Sequence, residues 1–148
     1  MIEIAKGIKI GDPLLEETQM GPLCTIGQLE NIEKEVSHAI EEGGQVLHGG
    51  KRPSNMDGLF YEPTIISCNN QNMKIVDTEL FGPVLSVLKF KTEEEVIGLA
   101  NDTVHGLAAG IFTKDSARSL RMAKAVRAGI VWVNTYRVVY GDDIVIML

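Results

Sequence analysis

A carboxylate and an aromatic ring stand two residues apart in the segment DTELFGPV at positions 77–84. In an extended segment, side chains at i and i+2 point the same way, so Glu79 and Phe81 could act on one ligand. A carboxylate accepts hydrogen bonds from vicinal hydroxyls, as acidic residues do for ribose, and a ring can pack against a flat heterocycle. The segment by itself favours a capped turn with a buried phenylalanine over a nucleotide contact.

The cysteines and histidines are the other side chains that could do chemistry. Cys24 precedes a predicted helix, whose dipole could lower the thiol pKa, but a half-buried loop residue is the favoured interpretation. Cys68 ends an apolar strand and is expected in the core. His38, His48 and His105 are scattered, and no Ser-His-Asp order, P-loop, HExxH or GxGxxG motif occurs. From these cysteines and histidines alone, we expect neither a catalytic residue nor a metal site.

Composition restricts the class of protein and its partners. The 148 residues are 45% hydrophobic and 23% charged, which is typical of one globular domain. The formal charge of −6 and the lack of a basic patch predict no nucleic-acid partner. No apolar run is long enough for a bilayer, so no membrane partner is expected. Two widely separated cysteines predict no disulfide framework, and the cytoplasm is the expected compartment.

Hydrophobic periodicity predicts alternating helices and strands. Helices are predicted over residues 2–7, 25–42, 73–78, 92–101 and 115–128, and strands over 45–48, 60–68, 84–90, 107–112 and 130–134. Capping boxes at 25–28 and 92–95 open two helices, and Gly43 supplies a left-handed stop. The helix over 115–128 is expected to bury Ala117, Leu120, Ala123 and Val126. Because the last five elements alternate strand and helix, the chain predicts an α/β fold with a parallel sheet.

Six blocks of sequence resemble, in order and spacing, the NAD(P)-dependent aldehyde dehydrogenase superfamily. They are IKIGDPLLEETQMGPL at 8–23, GGQVLHGG at 43–50, GLFYEPTII at 58–66, ELFGPVLSVLKF at 79–90, ANDTVHGLAAGIFTKD at 100–115 and RAGIVWVNTY at 127–136. Six collinear blocks are far more specific than a single ELFGPV. The resemblance implies a parallel-sheet part of the catalytic domain over 1–139, without the Rossmann-like cofactor domain, and a divergent tail over 140–148.

The resemblance also implies roles for residues that match the family's motifs. Glu79 falls on the glutamate that holds the nicotinamide ribose hydroxyls, and Phe81 on the ring beside the nicotinamide. Gln28 falls on a position that approaches the adenosine ribose in some members, although it also belongs to a capping box. Asn31 stands where many NAD-preferring members have a lysine. The variable segment that lines the aldehyde tunnel corresponds to Thr135, Arg137 and Val139.

The family's reactive groups have no counterpart in these 148 residues. In the family, a cysteine thiolate within an Asn-, Gly- and Gln-rich motif attacks the aldehyde, and a glutamate later activates water. Neither motif occurs here. The chain alone is therefore expected to be inactive and to bind NAD or NADP weakly or not at all. Two alternatives stay open: a non-enzymatic partner-binding or degenerate module, and one half of a split enzyme.

The ending YGDDIVIML departs from the PFGG-containing continuation of the family. Such a departure is expected of a frameshift or an early stop, with a divergent C-terminus as the alternative. In the intact enzyme the expected substrate is an aldehyde. For this chain, apolar surface that the family covers with other sequence predicts self-association or binding of the missing segments.

Overall fold

The computed structural model describes residues 1–136, which divide into two compact units. The unit Met1–Lys89 holds α1 (Ile2–Gly7), α2 (Ile26–Glu41), β1 (Gln45–His48), β2 (Thr64–Ser67), α3 (Lys74–Asp77) and β3 (Val84–Val87). The unit that begins at Phe90 holds α4 (Glu93–Asn101), β4 (Ala108–Ile111), α5 (Ser116–Ala125) and β5 (Ile130–Val133). The predicted α/β class is confirmed.

β2 is the central strand of the first unit. It pairs antiparallel with β1 and parallel with β3, where Thr64 lies opposite Val84. This sheet is therefore mixed, and the predicted parallel sheet, which follows from the alternation of the last five elements, does not extend to β1. The connection from β1 to β2 contains no helix, and an antiparallel neighbour needs no helical crossover. β2 begins later than predicted because Pro63 has no N–H to donate to a ladder.

α2 supplies one side of the core of the first unit. Its residues at helical spacing are fully or almost fully buried: Leu29, Ile32, Val36 and Ala39. They cluster with Tyr61 and with Ile66 of β2. The predicted capping box is present, because the backbone N–H of Gln28 donates to Thr25 Oγ1 over 3.2 Å and the Thr25 N–H donates to Gln28 Oε1 over 3.1 Å. Gly43, at φ 90°, provides the predicted left-handed stop.

In the second unit, β4 and β5 pair in parallel, and α5 contacts both strands. α5 ends at Ala125 because Val126 is already extended, at φ −78° and ψ 128°. The predicted buried stripe is wrong at Leu120, which is 65% exposed, and at Ala117, which is also exposed. Met122 is the buried residue instead. Apolar residues recur at helical spacing on more than one side of this helix, and residue type alone does not show which side is buried.

Candidate cofactor site

The turn that carries Glu79 and Phe81 is held at its start and in its middle. At its start, the backbone N–H and the Oγ1 of Thr78 donate to the Lys74 carbonyl over 3.1 and 2.8 Å, and this ends α3. In its middle, Leu80 is 8% exposed and joins the core. Buried Leu80 thus anchors the turn between two residues whose own side chains are exposed.

Glu79 and Phe81 line the same pocket, which has a volume of ≈ 380 Å³. Its other walls come from α3, from the turn and from the start of β3, and include Ile75, Thr78 and Ser86. The pocket combines apolar side chains with one carboxylate and two hydroxyl groups. Such a lining can accommodate the hydroxyls of a sugar beside a flat ring.

Phe81 is neither buried nor extended. Its side chain is 69% exposed, so the expected alternative of a buried phenylalanine is wrong. Its backbone adopts the left-handed region at φ 51°, so the alternation rule for extended segments does not hold here either. The two side chains share the pocket because the turn curves. A left-handed conformation costs an L-residue roughly 1–2 kcal/mol, and such strain clusters at functional sites.

Gln28 is committed to the N-terminus of α2. Its Oε1 accepts the backbone N–H groups of Cys24 and Thr25, each over 3.1 Å. With the cap intact, only the amide nitrogen of Gln28 could donate to a ligand. Asn31 lies one turn further along α2 and is exposed.

Thr135 follows β5 in the second unit and is half-buried. The preceding residue, Asn134, is left-handed at φ 55°, and its side chain accepts the Thr113 N–H over 2.9 Å. On either side of this turn, the rings of Trp132 and Tyr136 meet edge to face, with their centroids 4.8 Å apart. The other two predicted tunnel residues, Arg137 and Val139, lie outside the described residues.

The two cysteines differ in exposure. Cys68 is 7% exposed, and burial raises the pKa of its thiol. Cys24 is exposed in the loop before α2. Within residues 1–136, no group of three or more His, Cys, Asp and Glu side chains could hold a metal ion. No helix in that range is both long and apolar enough to cross a bilayer.

Residues 1–144 match the model of the aldehyde dehydrogenase family. The chain belongs to this family. The peroxisomal aminoaldehyde dehydrogenase 2 of Pisum sativum is 51% identical over 135 residues, which are 90% of this chain and 27% of the pea protein. The betaine aldehyde dehydrogenase of Bacillus subtilis (strain 168) is 46% identical over 139 residues, which are 92% of this chain and 28% of the relative.

Solved aldehyde dehydrogenases share the fold. A crystal structure of betaine aldehyde dehydrogenase from Staphylococcus aureus in complex with NAD+ superposes with a TM-score of 0.89 at 39% identity. The match covers 94% of this chain and 28% of the S. aureus chain. The chain thus spans a little over a quarter of the length of the relatives it matches.

Some residues of the site are not apparent from the sequence. Ser86 lines the pocket and donates from its Oγ to the carbonyl of Ile75 over 3.1 Å. A polar residue two positions after Val84 in an apolar strand is the only signal for it. Lys74 reads as a solvent-exposed helix residue, yet its carbonyl fixes the start of the turn. In this member of the aldehyde dehydrogenase family, the backbone contacts around the turn cannot be predicted from the sequence and require the structure.

Proposed function

We propose that this chain forms part of the catalytic domain of an NAD(P)-dependent aldehyde dehydrogenase and contributes to its nicotinamide site. In this role the Glu79 carboxylate accepts hydrogen bonds from the nicotinamide ribose hydroxyls, and the Phe81 ring packs beside the nicotinamide. The observation that carries the proposal is the pocket shared by these two exposed side chains. The crystal structure of the S. aureus betaine aldehyde dehydrogenase in complex with NAD+ supports it.

The proposal extends to the finer organisation of the chain. Residues 1–139 make up part of the catalytic domain, without the Rossmann-like cofactor domain, and 140–148 form a divergent tail. Gln28 then approaches the adenosine ribose through its amide nitrogen. Thr135, Arg137 and Val139 line the aldehyde tunnel.

The isolated chain is proposed to have no dehydrogenase activity. Bound NAD(P)+ supplies the hydride acceptor, but the reaction also needs a thiolate nucleophile. Cys68 lies outside the family's nucleophile motif and is buried, which raises its thiol pKa, and the exposed Cys24 lies outside that motif as well. We expect no aldehyde-dependent NADH from the pure protein and no saturation in a titration with micromolar NAD. NADH formation, or saturable binding in that range, would contradict this.

Activity is expected when the chain completes a relative. A chimera is made by replacing the matching segment of the B. subtilis betaine aldehyde dehydrogenase with this chain, since the two are 46% identical over 139 residues. We expect the purified chimera to oxidise an aldehyde with NAD(P)+. A chimera that is folded by circular dichroism, yet inactive, would favour the alternative of a degenerate or partner-binding module.

An aldehyde that carries an amino or ammonium group is the proposed substrate. The names of the pea and B. subtilis relatives, an aminoaldehyde and a betaine aldehyde dehydrogenase, support it. Arg137 would favour a carboxylate-bearing aldehyde instead, because a guanidinium group repels an ammonium group. The kcat/KM of the chimera for betaine aldehyde and for an aldehyde with a terminal carboxylate decides between them.

The isolated chain is also proposed to self-associate or to bind the missing family segments, in the cytoplasm. Several large apolar side chains of the first unit are exposed, among them Ile4 at 74%, Leu85 at 47% and Leu47 at 37%. Exposed apolar surface favours association. Sedimentation velocity at two concentrations tests this, and a concentration-independent monomer would contradict self-association.

A further inference from the structure

Lys74 connects α2 to the turn that carries Glu79. Its ammonium group pairs with Oε1 of Glu35 in α2, and its backbone N–H donates to Oε2 of Glu42, just after that helix, over 3.2 Å. Its carbonyl accepts both hydrogen bonds from Thr78. Glu79 follows Thr78 directly, so one residue contacts α2, its C-terminus and the start of the turn.

Glu35 provides a fixed partner for this contact. It is 3% exposed, in the buried face of α2, and its Oε2 has no hydrogen-bond partner within the described residues. A buried carboxylate is tolerated only where a cation or hydrogen-bond donors compensate it. The Lys74 side chain is 51% exposed, so the lysine reaches inward to a charge that the helix holds in place.

α3 needs such a contact because it is only four residues long. A single helical turn is not stable by itself and takes its position from tertiary contacts. Ile75 supplies an apolar contact, as it is 3% exposed in the core. An apolar contact does not fix the orientation of a short helix as an ion pair and hydrogen bonds do. The contacts of Lys74 with Glu35 and Glu42 therefore define how α3 lies on α2.

We propose that Lys74 is a positioning residue for Glu79. Its ion pair with Glu35 fixes α3 on α2, and its carbonyl carries that position to Thr78 and hence to the carboxylate in the pocket. The inference rests on the proposed function in one respect: the position of Glu79 matters for the cofactor only if Glu79 contacts the ribose. The competing role for the ion pair is uniform stabilisation of the whole unit.

Amide hydrogen exchange on the full chain, followed by NMR, separates these two roles. With Lys74→Met, we expect the amide of Thr78, which donates to the Lys74 carbonyl, to exchange about tenfold faster while the amide of Ile66 in β2 is unchanged. Lys34→Met is the matched control, because Lys34 lines the surface pocket beside Glu35 and Lys74, and it is expected to change neither rate. Lys74→Arg is expected to restore slow exchange.

A second variant keeps the test decisive if the buried Glu35 charge unfolds Lys74→Met. The double variant Glu35→Gln with Lys74→Met removes both charges together, and the same local increase is expected at Thr78. Unchanged exchange at Thr78, or an increase only in parallel with Ile66, would overturn the proposal.

The role of Glu79 itself is tested separately, in the chimera. Lys74→Met is expected to raise the KM for NAD about tenfold with little change in kcat, and to add little when Glu79→Gln is already present. An unchanged KM in a Lys74→Met chimera whose turn exchanges faster would overturn the positioning role. If Glu79→Gln leaves the KM unchanged, the proposed function fails, whereas the exchange rates still decide whether Lys74 fixes the turn.

Discussion

Gly82 and Ile32 approach each other so closely that Gly82 has no room for a side chain. A Cβ at Gly82 would overlap Cδ1 of Ile32 and would come within 3.4 Å of Leu23 Cδ2. Ile32 is completely buried in α2. The turn that carries Glu79 and Phe81 thus packs closely against α2 at Gly82, which also lines the pocket.

Gly82→Ala is therefore expected to destabilise the protein by about 1–3 kcal/mol, the usual cost of overpacking a core. The midpoint of urea denaturation measures this. Gly27→Ala in α2 is the control, because a Cβ at Gly27 meets nothing within 4 Å. The urea midpoint of this variant should stay the same or rise. Equal midpoints for the two variants would show that the Gly82–Ile32 contact does not restrict the turn.

The left-handed backbone of Phe81 gives a second prediction. At φ 51°, glycine avoids the strain that an alanine keeps, so Phe81→Gly should be more stable than Phe81→Ala by roughly 0.5–1 kcal/mol. Phe112 is similarly exposed, at 71%, and is not among the residues with positive φ in the described part of the chain. At Phe112 the order of stability should reverse, so that Phe112→Gly is less stable than Phe112→Ala. The same order at both positions would contradict the strain at Phe81.

The elements of this chain could be predicted from local signals. The Thr25–Gln28 capping box and Gly43 mark both ends of α2 because capping and positive φ are properties of a few adjacent residues. The antiparallel pairing of β1 and the buried side of α5 could not be predicted. They depend on which distant residues pack together, and periodicity does not contain that information.

The candidate site shows the same division. The types and spacing of Glu79 and Phe81 suggest a ligand, and the structure brings them to one pocket. The alternation of side chains assumes an extended backbone, however, whereas the backbone at Phe81 is left-handed. The buried partner of Lys74 also cannot be predicted from the sequence, because Glu35 and Lys74 are 39 residues apart in the chain.

The two cysteines should differ sharply in reactivity. Burial raises the pKa of the Cys68 thiol and shields it, whereas Cys24 is exposed. Iodoacetamide at neutral pH should therefore modify one thiol in the native protein and two in denaturant. Mass spectrometry of the peptides locates the label. Rapid native labelling of Cys68 would contradict its burial in the core.

Acid should weaken the second unit through Glu93. Hydrogen bonds from Arg121 and Arg118 lower the pKa of the Glu93 carboxyl below its ordinary 4.5. Because the folded-state pKa is depressed, this stabilisation is complete above pH 4.5 and is lost as the pH falls through the folded pKa.

Thermal unfolding of the wild-type protein and of Glu93→Gln should therefore differ above pH 4.5 and converge in stronger acid. Glu94→Gln is the control, because Glu94 is the exposed neighbour on α4. A wild-type Tm that exceeds that of Glu93→Gln by the same amount at every pH would show that the ion pairs of Glu93 do not contribute in this way.

The proposed contact between Glu79 and the nicotinamide ribose is tested most directly by the KM for NAD of the chimera with Glu79→Gln. A hydrogen bond to a charged group contributes about 1.5–3 kcal/mol, so the KM should rise on the order of ten- to a hundredfold. Glu94→Gln in the same chimera should leave it unchanged. An unaltered KM for Glu79→Gln in an active chimera would contradict the assignment of this turn to the cofactor.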